Sequence, residues 1–389
     1  MATAIRPLTA LLLLWLAGVA LRLTILAVPP LIPSIHLDLH LSQTQVGILS
    51  GIPMVLFAGA AIAGSLLVAR FGAVNALVAG LALCAIGGAL RGIGPNVWML
   101  YAMTVVTAFG VAVMQPSLPP LVREWLPQRI GFGTAVYTNG LLVGEIFPVA
   151  LTIPLILPWL KESWALSFAF WSVPVAIIAA VVLTLAPKRA LSHPAAAPAR
   201  WWPDWRDPQL WRIGLMLGSI NSVYFSLNAF LPDFLSRTGR PELISAALTA
   251  LNLGQLPASF MLLASAERLV RQAWPYAVCG LACLICTIAI VYGDGFTVIT
   301  ASAVAGFFGA GILVLILALP PLISAPGDVA RTSAGMFTIS YSCAVIVPII
   351  SGLVWDLTGR AGSAFVPIAL CAVAVVALAP TLRLREKSA

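Results

Sequence analysis

Apolar residues fall along this chain in long runs separated by short stretches that collect arginine, proline, glycine and the few acidic residues. A window of about 20 residues, the length an α-helix needs to cross a hydrocarbon core of about 30 Å, marks about twelve spans. They lie near residues 8–30, 46–69, 73–92, 97–122, 131–157 and 164–186, then 211–235, 243–265, 273–292, 296–323, 332–354 and 362–382. The first run carries no small-residue cleavage site followed by soluble sequence, so it is expected to be a retained helix. The fold class expected is an all-α membrane protein.

Composition agrees with that pattern. Hydrophobic residues make up 61% of the 389 positions and charged residues 9%, with a mean hydropathy of +1.03, too little polar surface for a soluble globule. The net charge of +8 is explained by topology rather than by nucleic acid. With a cytoplasmic amino terminus and twelve spans, fifteen basic residues fall on the inner side, among them Arg6, Arg70, Arg123, Arg129, Lys188 and Arg189. Five, Arg91, Lys161, Arg237, Arg240 and Arg360, fall in outer loops, as the positive-inside rule requires. The six cysteines sit inside apolar runs and read as small hydrophobes, including the Cys283-x-x-Cys286 pair. His36 and His40 fall in the first outer loop with nothing nearby to complete a metal site.

Residues 187–209, rich in proline, alanine, tryptophan and charge, read as a cytoplasmic linker between an amino-terminal bundle (1–186) and a carboxy-terminal one (210–389). The halves resemble each other. Leu118-Pro119-Pro120-Leu121-Val122 recurs as Leu319-Pro320-Pro321-Leu322-Ile323; Arg129 and Arg331 follow, and then Pro148 and Pro348. Duplicated six-span units are a transporter signature and place substrate near the bilayer midplane.

Arg22 is the one basic residue inside a span. An arginine at the centre of a spanning helix costs roughly 2.5–3.5 kcal/mol and therefore faces a cavity, a counter-charge or a ligand. At about 1.5 Å per residue it lies roughly 21 Å along its helix, and Glu145 sits at the matching depth of the fifth span, with Thr138 on the same helical face. Two readings stand: a pair whose members neutralise each other, or an anion site at Arg22 with Glu145 as proton carrier or gate. In the seventh span Asn221, Tyr224 and Asn228 share one face, which either lines a cavity or bonds a neighbouring helix. Gln115, Tyr137, Asn139, Asn252, Gln255 and Tyr341 are further polar groups within spans. No nucleophile, base and orienting group converge as an enzyme would need, and no phosphate-cradling G-x-x-x-x-G-K-[ST] loop offers ATP drive. No cofactor is implied.

The two six-span halves resemble the major facilitator superfamily, and within it the cyanate porter and 2-nitroimidazole transporter branch of bacterial inner-membrane carriers. The motifs carrying the resemblance are Arg22 with Val28 and Pro30, Gly47-Ile48-Leu49-Ser50-Gly51-Ile52-Pro53, Ala69-Arg70-Phe71-Gly72, Leu90-Arg91, Leu118-Pro119, Leu121-Val122-Arg123, Pro127, and Thr134 to Thr138. Ala20, Leu23, Ala69 and Gln115 depart from the pattern. The resemblance implies a major facilitator fold and alternating access in a bacterial inner membrane, with both termini cytoplasmic and the chain a monomer. Arg70 and Gly72 would form the cytoplasmic loop motif. The cargo expected is a small anion such as cyanate, nitrate, nitrite or a small carboxylate, with protons as a possible coupled ion. An exporter of small heteroaromatic compounds and a non-transporting membrane sensor are the alternatives.

Overall fold

A computed structural model describes residues 6–41, 43–94, 96–187, 200–293 and 295–382. Positions 188–199 of the predicted linker and the basic terminus 383–389 lie outside these residues, as does the side chain of His36. Helices dominate, and no strand occurs among the described residues. Where water is excluded, a helix satisfies its backbone N–H and C=O groups within one segment, which is why uninterrupted apolar sequence takes this form.

The first half holds α1 (Pro7–Leu23), α2 (Ile32–Leu39), α3 (Gln43–Phe71), α4 (Ala73–Leu90), α5 (Val97–Trp125), α6 (Ile130–Leu151), the single turn α7 (Leu157–Trp159) and α8 (Trp164–Leu185). The second holds α9 (Pro208–Arg237), α10 (Ile244–Leu253), α11 (Gln255–Leu269), α12 (Trp274–Tyr292), α13 (Gly295–Leu317), α14 (Leu319–Ile323), α15 (Val329–Thr358) and α16 (Phe365–Leu378). Among the described residues, counting segments that run on through short kinks, 11 are long and apolar enough to cross a membrane, and α1 is a shorter apolar helix of 17 residues. The expected first span therefore stops early. Its helix ends at Leu23, and the chain turns before a 3₁₀ turn at Pro29–Leu31.

Local chemistry sets several boundaries. Asn96 accepts a hydrogen bond from the Trp98 N–H and caps α5, Ser163 caps α8 through Leu166 N–H, and Asp207 caps α9 through Gln209 N–H with Pro208 as the first helical residue. Gly72 alone separates α3 from α4. Its φ of 84° and ψ of 160° lie in a region open almost only to glycine, which makes so tight a reversal possible. Proline lies inside α3, α5, α6 and α15 (Pro53, Pro116, Pro148 and Pro348 among them), and α6 passes into a five-residue π-helical turn at Thr152–Ile156.

Chain contacts group the residues into two compact units. One comprises Met1–Gln128, Val136–Pro203 and Ala325–Ala334, the other Arg129–Ala135, Asp204–Ser324 and Gly335–Ala389. In each, helices are apolar on the inward and the outward face. On α12, Cys279, Cys283, Cys286 and Ile290 are buried while Val278, Leu281, Ile285 and Ile288 are exposed. Such apolar outer faces belong against lipid, and the protein is a multi-pass membrane protein.

Candidate functional site

Arg22 stands in the last turn of α1, not mid-helix, because the helix breaks immediately beyond it. Its carbonyl accepts the N–H groups of both Ile25 and Leu26. A cation in the final turn meets the negative end of the helix dipole, which offsets part of the penalty of burying it. Its remaining charge meets a carboxylate. Arg22 Nε lies 3.2 Å from Glu145 Oε1, and the two side chains are only 11% and 16% exposed. The predicted partnership between the first and fifth spans is therefore present in the structure.

Glycine brings these two helices together. A Cβ added to Gly18 would lie 2.0 Å from the Tyr137 carbonyl oxygen, one on Gly140 2.2 Å from that of Trp15, and one on Gly144 2.4 Å from that of Val19. Only hydrogen fits in these gaps. At one end of the crossing Trp15 Nε1 donates to Asn139 Oδ1 at 3.0 Å, and at the other stands the Arg22–Glu145 pair, seven residues on from Trp15. Gly140-x-x-x-Gly144 is a small-x-x-x-small motif visible in the sequence, and such motifs let helix backbones approach in a membrane. It identifies the helix pair that carries the charges.

Arg91 is corrected by the structure. Counted by sequence among outer-loop charges, it is fully buried at the carboxyl end of α4. Its Nη1 donates to the Thr24 carbonyl at 2.8 Å and its guanidinium lies over the Phe168 ring, 5.3 Å from the centroid. Thr24 Oγ1 is in turn 3.0 Å from Cys84 Sγ. The break after Arg22 is thus fastened by side chains from α4 and α8.

Of the other predicted site residues, Gln115 and Tyr137 are buried in the same unit as Arg22. Arg70 is exposed at the end of α3, next to the Gly72 turn. In the second unit, Tyr224 Oη donates to Asn252 Oδ1 at 2.6 Å, and Asn252 Nδ2 donates to Asn228 Oδ1 and to the Leu248 carbonyl. Asn221 stands apart from that group and donates to Ser340 Oγ at 2.8 Å. Tyr341 is buried and stacks on Phe337. The polar stripe of α9 therefore forms interhelical hydrogen bonds, with Asn252 as their hub beside the break between α10 and α11. All six cysteines are free.

A cavity of about 680 Å³ in the first unit is lined by Ser34, Asp38, Gly92, Glu162, Ser163 and Trp164 among others, with Trp164 Nε1 donating to Asp38 Oδ2. None of the predicted site residues lines it, and its acidic groups suit water or a cation rather than an anion.

Two sets of apolar helices, helices broken within spanning segments and a buried ion pair beside one break define a polytopic membrane carrier. The sequence profile of the Major Facilitator Superfamily matches residues 14–293. The chain belongs to that superfamily of transporters. It is 27% identical over 387 residues to the cyanate transport protein CynX of Escherichia coli, covering 96% of each chain. It is 25% identical to the 2-nitroimidazole transporter of the same organism, covering 87% of this chain and 86% of that one. Among solved structures, the transporter FucP in its outward conformation superposes with a TM-score of 0.72 at 16% identity, over 95% of this chain and 98% of that one, a likeness of fold.

Proposed function

We propose that this chain is a secondary transporter of a small anion in which Arg22 binds the cargo and Glu145 couples its binding to a proton. The observation that carries the reading is the buried Arg22–Glu145 pair at the end of a broken helix. A guanidinium offers a fixed fork of donors that suits a planar or linear anion, and those donors bind most strongly where water is sparse. Glu145 competes with the cargo for the same cation. A proton on Glu145 removes the competitor, so proton and anion bind together and symport follows. Gln115, Tyr137, Asn221, Tyr224, Asn228 and Tyr341 would supply neutral contacts. Residues 1–186 and 210–389 would be the two bundles of an alternating-access cycle, joined by the linker.

The chain would work as a monomer in a bacterial inner membrane, with both termini and the Arg70–Gly72 loop in the cytoplasm. The name of the cyanate-transporting relative supports an anion of cyanate, nitrate, nitrite or small carboxylate size. The 2-nitroimidazole relative supports a second reading, export of small heteroaromatic compounds.

Thermal-shift titrations of purified protein with cyanate, nitrate, nitrite, formate and 2-nitroimidazole test both. An anion at 100 times its Kd stabilises the folded protein by about 2.7 kcal/mol, and Arg22→Ala is expected to abolish that shift. The shift should grow as pH falls in the native protein and become indifferent to pH in Glu145→Gln. Anion stabilisation that survives Arg22→Ala overturns the anion site. Stabilisation by 2-nitroimidazole alone favours the second reading.

A further inference from the structure

Leu23 to Ala27 hold neither proline nor glycine; Pro29 crowds the Ile25 carbonyl and bends the chain from there on, but it leaves the helical bonds to the Leu23 and Thr24 carbonyls open. The part of the break that begins right after Leu23 therefore needs a further cause beyond Pro29. In a continuous α-helix the Thr24 carbonyl would accept the N–H of Val28. Here the Val28 N–H donates to Ile25 instead, at 3.3 Å, and the Thr24 carbonyl accepts Arg91 Nη1 at 2.8 Å. The arginine occupies the place of the next helical turn.

Arg91 is also an unusual buried cation. It has no exposed surface, no carboxylate pairs with it among the described residues, and its Nε and Nη2 have no hydrogen-bond partner among them. What compensates it is the Thr24 carbonyl at the negative end of α1, together with the face of Phe168. Two cations, Arg91 fully buried and Arg22 largely so, thus flank the break, and they have different counter-groups. The Thr24 carbonyl binds Arg91 directly, while Arg22, in the last turn of the same helix, is paired with Glu145.

We propose that Arg91 is a positioning residue: by holding the Thr24 carbonyl it keeps α1 broken after Leu23 and so fixes Arg22 at a helix terminus facing Glu145. Without it, residues 24–28 regain the helical bonding that their sequence allows, the chain beyond Arg22 rotates, and Arg22 loses its set orientation. Its effect on transport rests on the reading of Arg22 as the anion site, whereas its effect on the break does not.

The test compares the native protein with Arg91→Lys, Arg91→Gln and Arg91→Met in detergent. Hydrogen–deuterium exchange of peptides spanning residues 20–31 reads the break directly. In Arg91→Met the pattern should change at 24–28 by about tenfold in rate, with peptides from α12 and α13 unaltered. Arg91→Lys, which keeps a charged donor, should return it toward native. In parallel, cyanate and nitrate titrations followed by thermal shift should show the apparent Kd raised about tenfold or more in Arg91→Met and largely rescued in Arg91→Lys. The maximal shift at saturation should be retained. A passive core residue would lower stability without that split. Native exchange at 24–28 in folded Arg91→Met overturns the proposal. If that variant does not fold, native exchange in Arg91→Gln, whose shorter neutral amide cannot span the same contact, does so equally. Absence of any anion response in the native protein defeats the anion reading alone, and the exchange result still decides the role of Arg91.

Discussion

Removing one member of the Arg22–Glu145 pair should harm the fold more than removing both. With Nε and Oε1 3.2 Å apart and an effective dielectric of about 20, the attraction is about 5 kcal/mol, and side-chain exposures of 11% and 16% leave little solvent to screen it. Deleting one partner strands the other charge in a site that cannot hydrate it, a loss of about 3–5 kcal/mol. Arg22→Met and Glu145→Gln should each lose that much in reversible unfolding in mixed micelles without ligand. The double variant buries no charge there and should lose less than the two losses added, by a coupling of about 2–3 kcal/mol. The assay is a double-mutant cycle, with circular dichroism confirming that each variant folds. Single losses that add to within about 0.5 kcal/mol would refute the reasoning, because the two charges would then be compensated independently.

Other substitutions probe the elements that support the site. Gly140→Ala drives a methyl to 2.2 Å from the Trp15 carbonyl and should destabilise by about 1–3 kcal/mol or more, whereas Gly51→Ala, whose Cβ meets nothing within 4 Å, should be near neutral in the same melts. Gly72→Ala forces a side chain into φ 84°, ψ 160° and should cost about 1–3 kcal/mol in unfolding free energy. Asn252→Leu removes the acceptor of Tyr224 and a donor to Asn228, with an expected loss of about 1–3 kcal/mol that a fall in detergent melting temperature would report. In maleimide labelling, Cys84, Cys279, Cys283 and Cys286 should react only after denaturation.

The twelve apolar segments and the matching depth of Arg22 and Glu145 were legible because run length and helical rise translate directly into position across a bilayer. The start of the break right after Leu23 was not: Pro29 and Pro30 signal a bend one turn later, whereas the group that takes the Thr24 carbonyl, Arg91, lies 67 residues away. Arg91 itself was misplaced because charge counting assigns any arginine at the edge of a span to a loop, and burial at that edge is decided by Thr24 and Phe168. The stripe of Asn221, Tyr224 and Asn228 showed one helical face, while the partners that engage it, Ser340 and Asn252, emerge only from packing. Gly140-x-x-x-Gly144 was readable and marks the crossing on which the ion pair stands.

That crossing limits how the pair can come apart. Where Gly18, Gly140 and Gly144 meet, main chain rests on main chain with no side chain between to act as a bearing, so α1 and α6 have almost no room to slide or roll against each other there. At this crossing they form one lever with both charges mounted on it. Separation of Arg22 from Glu145 is then left to side-chain rotation and to chemistry at the carboxylate, small and fast events compared with the motion of a whole bundle.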